Sequence, residues 1–292
     1  MHPRSTHTVP HTDYDPQGDM RLLFVTPAHS RYSVSDFCFA QRAHCIQQLA
    51  NEGIQAQAVI IACDDNIDIA TQYGFATIES DNSHLGKRWN DGYAYAAEHG
   101  YTHIAPIGSD SWIDPDYFLP PPSHHTDTIL TSSLYATIDE DGSRIAHLTV
   151  EPAGGVGPHT FPTRLIAQSG NRPVQDNLDR GCDHSLLNTI RTTHRKPLQW
   201  EWRNRHPLQY VAFRSHGTQI NPYQQLRDRY STNEHHDPWG DLNQHYPHHL
   251  VALAQEHYAN IPPPPETAHT RAASEARARA EAREQRRQAT NR

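Results

Sequence analysis

The residues best suited to chemistry in this chain sit at the end of a short apolar run. In Thr102-His103-Ile104-Ala105-Pro106-Ile107-Gly108-Ser109-Asp110-Ser111 the hydrophobic stretch stops at Gly108 and gives way to a small polar turn carrying one carboxylate. A buried strand that ends this way delivers Asp110 to the carboxyl edge of a sheet, where open α/β folds bind ligands. Three strand–helix units come before it, so Asp110 stands where a nucleotide and its metal ion are expected. Asp114 and Asp116, beside Pro115, read as turn or cap residues.

The elements that must hold this turn follow from hydrophobic periodicity. Residues 21–26 form a short apolar run stopped by Pro27, a buried first strand. Residues 33–50 place Phe39, Ala43, Ile46, Leu49 and Ala50 on one helical face, with Ser33 or Ser35 as the cap and Gly53 as the terminator. A second strand at 58–62 ends in Cys63-Asp64-Asp65-Asn66. A short helix at 67–73 stops at Gly74, a third strand covers 75–78, and Leu85, Trp89, Tyr93 and Ala96 predict a helix over 84–98 before the strand at 102–107. Alternation with such short connections predicts a parallel sheet with right-handed crossovers.

After Asp116 the rhythm changes. Strands at 128–137 and 145–150 read as antiparallel, joined through Asp139-Glu140-Asp141-Gly142. Gly154-Gly155-Val156-Gly157-Pro158 reads as a connecting loop or lid, 182–191 as a helix, 198–202 and 209–213 as a strand pair, and 222–230 and 241–258 as helices. The fold class is therefore α/β: a mostly parallel, Rossmann-like sheet flanked by helices, with a smaller mixed β/α region.

Composition sets further bounds. The 292 residues suffice for one large domain, yet hydrophobic content of 36% and mean hydropathy of −0.80 are low for one. Polar ends account for this: residues 1–19 show no apolar period and are expected to be disordered, and 261–292 read as a Pro-rich linker and a basic helical tail. The net charge of −8 is uneven, because the tail from Arg271 carries seven Arg against three Glu. An acidic body argues against a wide footprint on duplex phosphates, which needs clustered cations. Cys38, Cys45, Cys63 and Cys182 lack Cys-x-x-Cys spacing, and the first two lie too far apart on one helix for a disulfide, so reduced core thiols are expected. The 23 histidines show no His-x3-His or Cys/His framework, so no structural zinc site is expected. No apolar run approaches about 18 residues, which points to a soluble, cytoplasmic protein without a membrane partner.

The order of motifs is familiar. Thr26-Pro27-Ala28-His29 after the first strand is followed by Asp64-Asp65, Leu85-Gly86-Lys87-Arg88-Trp89-Asn90-Asp91-Gly92, Gly108-Ser109-Asp110-Ser111, Gly181-Cys182-Asp183-His184 and Phe213-Arg214-Ser215-His216-Gly217. Over about residues 20–220 this resembles the nucleotide-sugar-dependent glycosyltransferases of the GT-A fold, particularly family-2-like enzymes, including phage-encoded ones. The resemblance implies a nucleotide-sugar-binding half at 20–119 and an acceptor-side half at 120–260, in a bacterial or phage-infected cell. It implies that Thr26, Pro27, His29 and Arg31 line the nucleotide pocket and that Asp64 or Asp65 bonds the base or ribose. Lys87 and Arg88 would neutralise phosphate, Asn90 would orient the donor, and Ser109 would assist Asp110. Asp110 matches the last Asp of the family's Asp-x-Asp motif and, with His216, would hold Mn2+ or Mg2+. Asp183 matches the carboxylate base that deprotonates the acceptor, with Asp176 and Asp179 as neighbours able to substitute; an ordinary helix N-cap is the plain alternative. Two positions depart from the pattern: Gly108 stands where the first Asp belongs, and Cys182 replaces the Glu that commonly precedes the base.

The implied activity is inverting, metal-assisted transfer of a sugar from a nucleoside diphosphate sugar to a hydroxyl, on either a modified DNA base or a protein. A binding module without turnover is the non-catalytic alternative. A nucleotidyltransferase ranks lower, because the loop at 26–32 lacks the Gly-rich character such enzymes need.

Overall fold

The computed structural model describes residues 20–122, 127–151, 157–214 and 223–260. The expectations for 1–19, for 261–292, for residues 154–156 of the lid loop and for His216 lie outside these residues.

The first half follows the predicted alternation. Strand β1 (Arg21–Pro27) leads to α1 (Tyr32–Asn51), β2 (Gln55–Ala62), α2 (Asn66–Gln72), β3 (Ala76–Glu79), α3 (Leu85–Glu98) and β4 (His103–Pro106). β1 pairs in parallel with both β2 and β4, and β2 pairs in parallel with β3. Alternate residues of β1 serve opposite layers. Leu22 and Phe24 pack with Phe39 and Leu49, and Leu23 and Val25 pack with Trp89, Tyr93 and Leu186. A strand covered on both faces has no polar side, which is why β1 reads as a continuous apolar run.

The second half supplies β5 (Ser111–Ile113), β6 (Thr128–Thr131), β7 (Leu134–Ile138), β8 (Ile145–Thr149), β9 (His159–Pro162), α4 (Thr163–Ala167), α5 (Cys182–Thr193), β10 (Gln199–Trp202), β11 (Tyr210–Phe213), α6 (Tyr223–Tyr230), β12 (Ser231–His235), α7 (Pro238–Leu242) and α8 (His248–Ala259). A seven-stranded sheet has the order β10-β6-β9-β4-β1-β2-β3, and a five-stranded sheet has the order β12-β8-β7-β11-β5. In the larger sheet only β9 runs against its neighbours. The carboxyl ends of the other six strands therefore open on one edge, about 29 Å wide from strand spacing. No helix among the described residues is long and apolar enough to cross a membrane.

Several local expectations need correction. The stretch 128–137 is two strands in different sheets, parted at Ser132, whose hydroxyl donates to Leu134 O and accepts from its N–H. The expected pair 198–202 and 209–213 does not form: β10 extends the large sheet beside β6, and β11 lies between β7 and β5. The helix expected at 241–258 is broken, with Pro247 ahead of α8, because proline cannot supply the N–H a continuing helix needs. Helix α1 begins at Tyr32 with a left-handed Arg31 before it and no side-chain cap, so neither Ser33 nor Ser35 caps it. Cys38, Cys45 and Cys182 are buried thiols as expected, but Cys63 is exposed.

α1 is buried on more than the face its apolar period shows. Gln41 and Arg42 are both wholly inaccessible to solvent. The Gln41 amide donates to Ile113 O (2.7 Å) and accepts from Ile113 N (3.3 Å), so the helix grips the end of β5 as a neighbouring strand would. This holds β5, and the turn before it, against α1.

Candidate active site

Three loops meet at the carboxyl edge: 28–31 after β1, 63–65 after β2, and 107–110 after β4. Gly108 and Asp110 crowd each other. A Cβ at position 108 would lie 2.6 Å from Asp110 Oδ1, so a first Asp there would displace the second. Arg42 anchors the same turn from below, donating to Thr26 Oγ1 (2.5 Å), Gly108 O (3.3 Å) and Ser111 O (3.1 Å). Phe213 N donates to Asp110 O (2.8 Å), tying the turn to β11. The backbone of Asp110 is thus set from two sides before any ligand arrives.

The Asp110 side chain faces two guanidiniums. Arg31 Nη1 donates to Oδ2 at 3.0 Å, Arg214 Nη1 stands 4.0 Å away, and the Ser111 hydroxyl donates to Oδ1 at 3.2 Å. Burial works to raise this carboxyl, but the charges of Arg31 and Arg214 with the hydrogen bonds outweigh it and leave it below its ordinary value. Arg31 reaches Asp110 because Ser30 and Arg31 both adopt left-handed backbone, at φ 49° and 54°. Asp64 supports that conformation: Oδ2 accepts from Ser30 N (2.9 Å), and Oδ1 accepts from Asn66 N and Nδ2 (3.1 and 2.7 Å). His29 Nδ1 lies 3.2 Å from Asp64 Oδ2. Asp65 is exposed at the start of α2 and forms no side-chain cap.

Asp183 lies in the first turn of α5, preceded by a left-handed Gly181 and without a capping hydrogen bond. The plain N-cap reading therefore fails. Asp183 is exposed, and the desolvation by surrounding protein pushes its carboxyl up to about 6 against the opposing pull of His184. Among the described residues it has no ion-pair partner, whereas Asp176 and Asp179 pair with Arg172 and His84. Tyr210 feels the charge of both carboxylates. Burial pushes its phenol up to about 12, with a Ser111 hydrogen bond opposing and the charges of Asp110 and Asp183 adding to the rise.

The remaining predicted residues divide by their partners. Thr26 and Pro27 are buried, the former holding Arg42, and Ser109 is buried in the turn. Arg88 is turned inward and donates to Ala28 O (3.2 Å), supporting the first loop from beneath. Lys87 pairs with Asp81 and Asp91 (3.4 and 3.5 Å) on the surface. Asn90 is wholly buried; its amide donates to Val174 O and Asp176 Oδ1 and accepts from Val174 N. The first-turn N–H groups of Gly86 and Lys87 bond Leu178 O and Asp176 O, so the start of α3 is occupied by chain rather than open to phosphate. Gly86 and Gly92 have packing reasons: a Cβ would meet Gln175 O at 2.1 Å or Val25 Cγ1 at 2.3 Å.

Sequence reasoning missed four residues here. Arg42 hides in a helix as an apparent surface charge, and Tyr210 opens, and Arg214 follows, a strand whose partners were misassigned. Tyr32 is 40% exposed beside the 63–65 loop, whose acidic side chains add to the rise that desolvation causes in its phenol.

A hard cation needs several oxygen ligands around it. Among the described residues Asp110 has guanidiniums for neighbours and belongs to no group of three metal-type ligands; the groups that exist are His29–Cys63–Asp64 and His147–His235–Asp241. The first is at the carboxyl edge, but a thiol in its donor set does not suit Mg2+ or Mn2+. Asp110 as paired here does not fit a divalent cation.

No family model matches this chain, and no curated protein matches it. Among solved structures, the catalytic domain of Drosophila beta1,4-galactosyltransferase 7 in complex with xylobiose superposes with a TM-score of 0.45 at 12% identity, over 73% of this chain and 75% of that one. S. aureus TarS 1–349 in complex with UDP gives 0.48 at 12% identity over 67% of this chain and 61% of that one. A cytidylyltransferase from Leptospira borgpetersenii gives 0.38 at 15% identity, over 63% and 76%. The chain thus spans about three fifths of the TarS fragment. These likenesses are too distant to carry a functional argument, which rests on the geometry of the carboxyl edge.

Proposed function

We propose that the protein transfers a sugar from a nucleoside diphosphate sugar to a hydroxyl acceptor, with inversion. The observation that supports this most is the pair of guanidiniums held at the carboxyl edge, Arg31 and Arg214 at 3.0 and 4.0 Å from Asp110, while Asp183 has no ion-pair partner among the described residues and is pushed up to about 6. Environments that drive two carboxyls apart in this way assign them separate roles.

In this reading Tyr32 stacks on the base and the loop held by Asp64 receives the nucleoside. Arg31 and Arg214 meet the diphosphate, which leaves with the electron pair of the broken glycosidic bond; charge stabilisation of this kind needs donors set in place beforehand, and Asp110 sets them. Asp183, ionised above about pH 6, accepts the proton of the acceptor hydroxyl as its oxygen bonds the anomeric carbon. No step requires a cation. Lys87 and Asn90 act on the fold, not on the donor.

The test is release of nucleoside diphosphate from a panel of nucleotide sugars, without acceptor, in EDTA and in Mn2+. Slow release in EDTA, lost in Arg31→Ala, supports the proposal. Release that appears only with Mn2+ returns Asp110 to metal binding, and tight binding without release makes the protein a non-catalytic module.

A further inference from the structure

The second sheet holds a cluster that the transfer reaction does not use. His147 on β8, His235 at the end of β12 and Asp241 on α7 each offer one donor atom within 4.8 Å of the others, and all three are partly buried. We propose that these three side chains bind one divalent transition-metal ion of the zinc class, clipping β8, β12 and α7 together.

The backbone explains how they meet. β8 and β12 are antiparallel with Asn233 opposite His147, and a bulge between Ser231 and Asn233 resets the facing of β12. Asn233 therefore shares a face with His147, and His235, two residues on, shares it as well. The opposite face of β8 carries Ala146 and Leu148 into a core with Tyr223 and Leu226. α7 is five residues long, and its Asp241 brings the carboxylate over the histidine face.

The donor atoms lie at separations close to those of a metal site. His147 Nε2 is buried without a hydrogen-bond partner and lies 4.0 Å from Asp241 Oδ2, beyond hydrogen-bond reach. His235 Nδ1 lies 2.7 Å from the same oxygen. Donors around a tetrahedral zinc stand about 3.4 Å apart, given metal–ligand bonds of about 2.0–2.1 Å. These two separations bracket that value, and the third lies within 4.8 Å, so side-chain adjustment would admit the ion. The Asn233 amide Nδ2 donates to His235 Nε2 (2.6 Å), which leaves the proton on Nδ1 facing Asp241, and the ion would displace that proton. Two imidazoles and one carboxylate favour Zn2+, Co2+ or Ni2+ over Mg2+ or Ca2+. The fourth position falls to water.

The experiment uses the full chain after chelator treatment, titrated with Co2+ and Zn2+ against a chromophoric competitor. One tight equivalent is expected, with a Co2+ ligand-field spectrum lacking sulfur charge transfer and a Zn2+ thermal shift of about 5 °C at a hundredfold excess over Kd. Asp241→Asn, near-isosteric and still able to accept from His235, should weaken binding at least tenfold; His235→Ala should abolish it. X-ray absorption on the wild-type complex, with two imidazoles and an oxygen ligand, supports the site even if a variant fails to fold. Uptake of no ion, unchanged binding in Asp241→Asn, or loss of the signal in Cys63→Ala would overturn it.

Discussion

Asp110 is half-buried and Asp183 exposed, and their surroundings treat the two carboxylates oppositely. Asp110 follows a strand and meets two guanidiniums brought by α1 and β11, so its charge is favoured despite burial. Asp183 opens a helix, whose N-terminal dipole should favour its charge, yet desolvation dominates and holds the proton up to about 6. Position at a helix start did not decide protonation; the presence of a paired cation did. One carboxylate is built to stay charged and organise cations, the other to exchange a proton.

The largest break in this comparison is Asp183→Asn, expected to lower donor turnover by roughly 10²–10⁴-fold, as for loss of a general base. Its melting temperature at pH 7 should hold or rise, since a poorly solvated charge is removed; a fall of several degrees would make Asp183 structural. Asp110→Asn should do the reverse, destabilising the fold by roughly 2–3 kcal/mol because two partly buried guanidiniums lose their anion. Denaturant melts at pH 7 measure this, and an unchanged midpoint would dissolve the Arg31–Asp110–Arg214 arrangement.

The two also separate by pH. Turnover should fall with an acid limb near the Asp183 value of about 6. Stability follows opposite signs. The depressed Asp110 contributes stability above its ordinary value of 3.8 that is lost as pH falls through its lower folded value, while the raised Asp183 favours the fold below 3.8 and loses that contribution as pH rises through about 6. Melting curves from pH 3 to 7, with and without Asp183→Asn, resolve the second effect. The smallest effect is expected for Lys87→Ala, within about 0.5 kcal/mol and with little change in turnover, because its pair with Asp81 is exposed and its pair with Asp91 is open to solvent on the lysine side. A large rise in donor KM would restore it to the phosphate site.

Much of the frame was legible because burial of one face leaves a periodic trace in the chain. The alternation from β1 to β4, its glycine terminators and the strand-end position of Asp110 all derive from local pattern, and the parallel sheet follows from them. The run Gly86-Lys87-Arg88-Trp89-Asn90 shows where such reading stops. It resembles a phosphate-binding helix start, yet Gly86 and Asn90 are there to receive the segment 174–178. The pattern was noticed, but its partner lay more than 80 residues away.

What the sequence by itself determined is therefore the order of elements and the edge on which the chemistry must lie, because turn residues and apolar period act within a few residues of themselves. Which charges meet was decided by tertiary structure alone. Arg31 reaches Asp110 across 79 residues through a left-handed loop held by Asp64. Arg214 arrives by strand pairing that the sequence pattern misassigned. Adjacent histidines suggested no metal framework, yet His147, His235 and Asp241 converge from three separate elements. Ionic and coordination partners are chosen by proximity in space, and proximity between distant segments leaves no periodic mark on either of them.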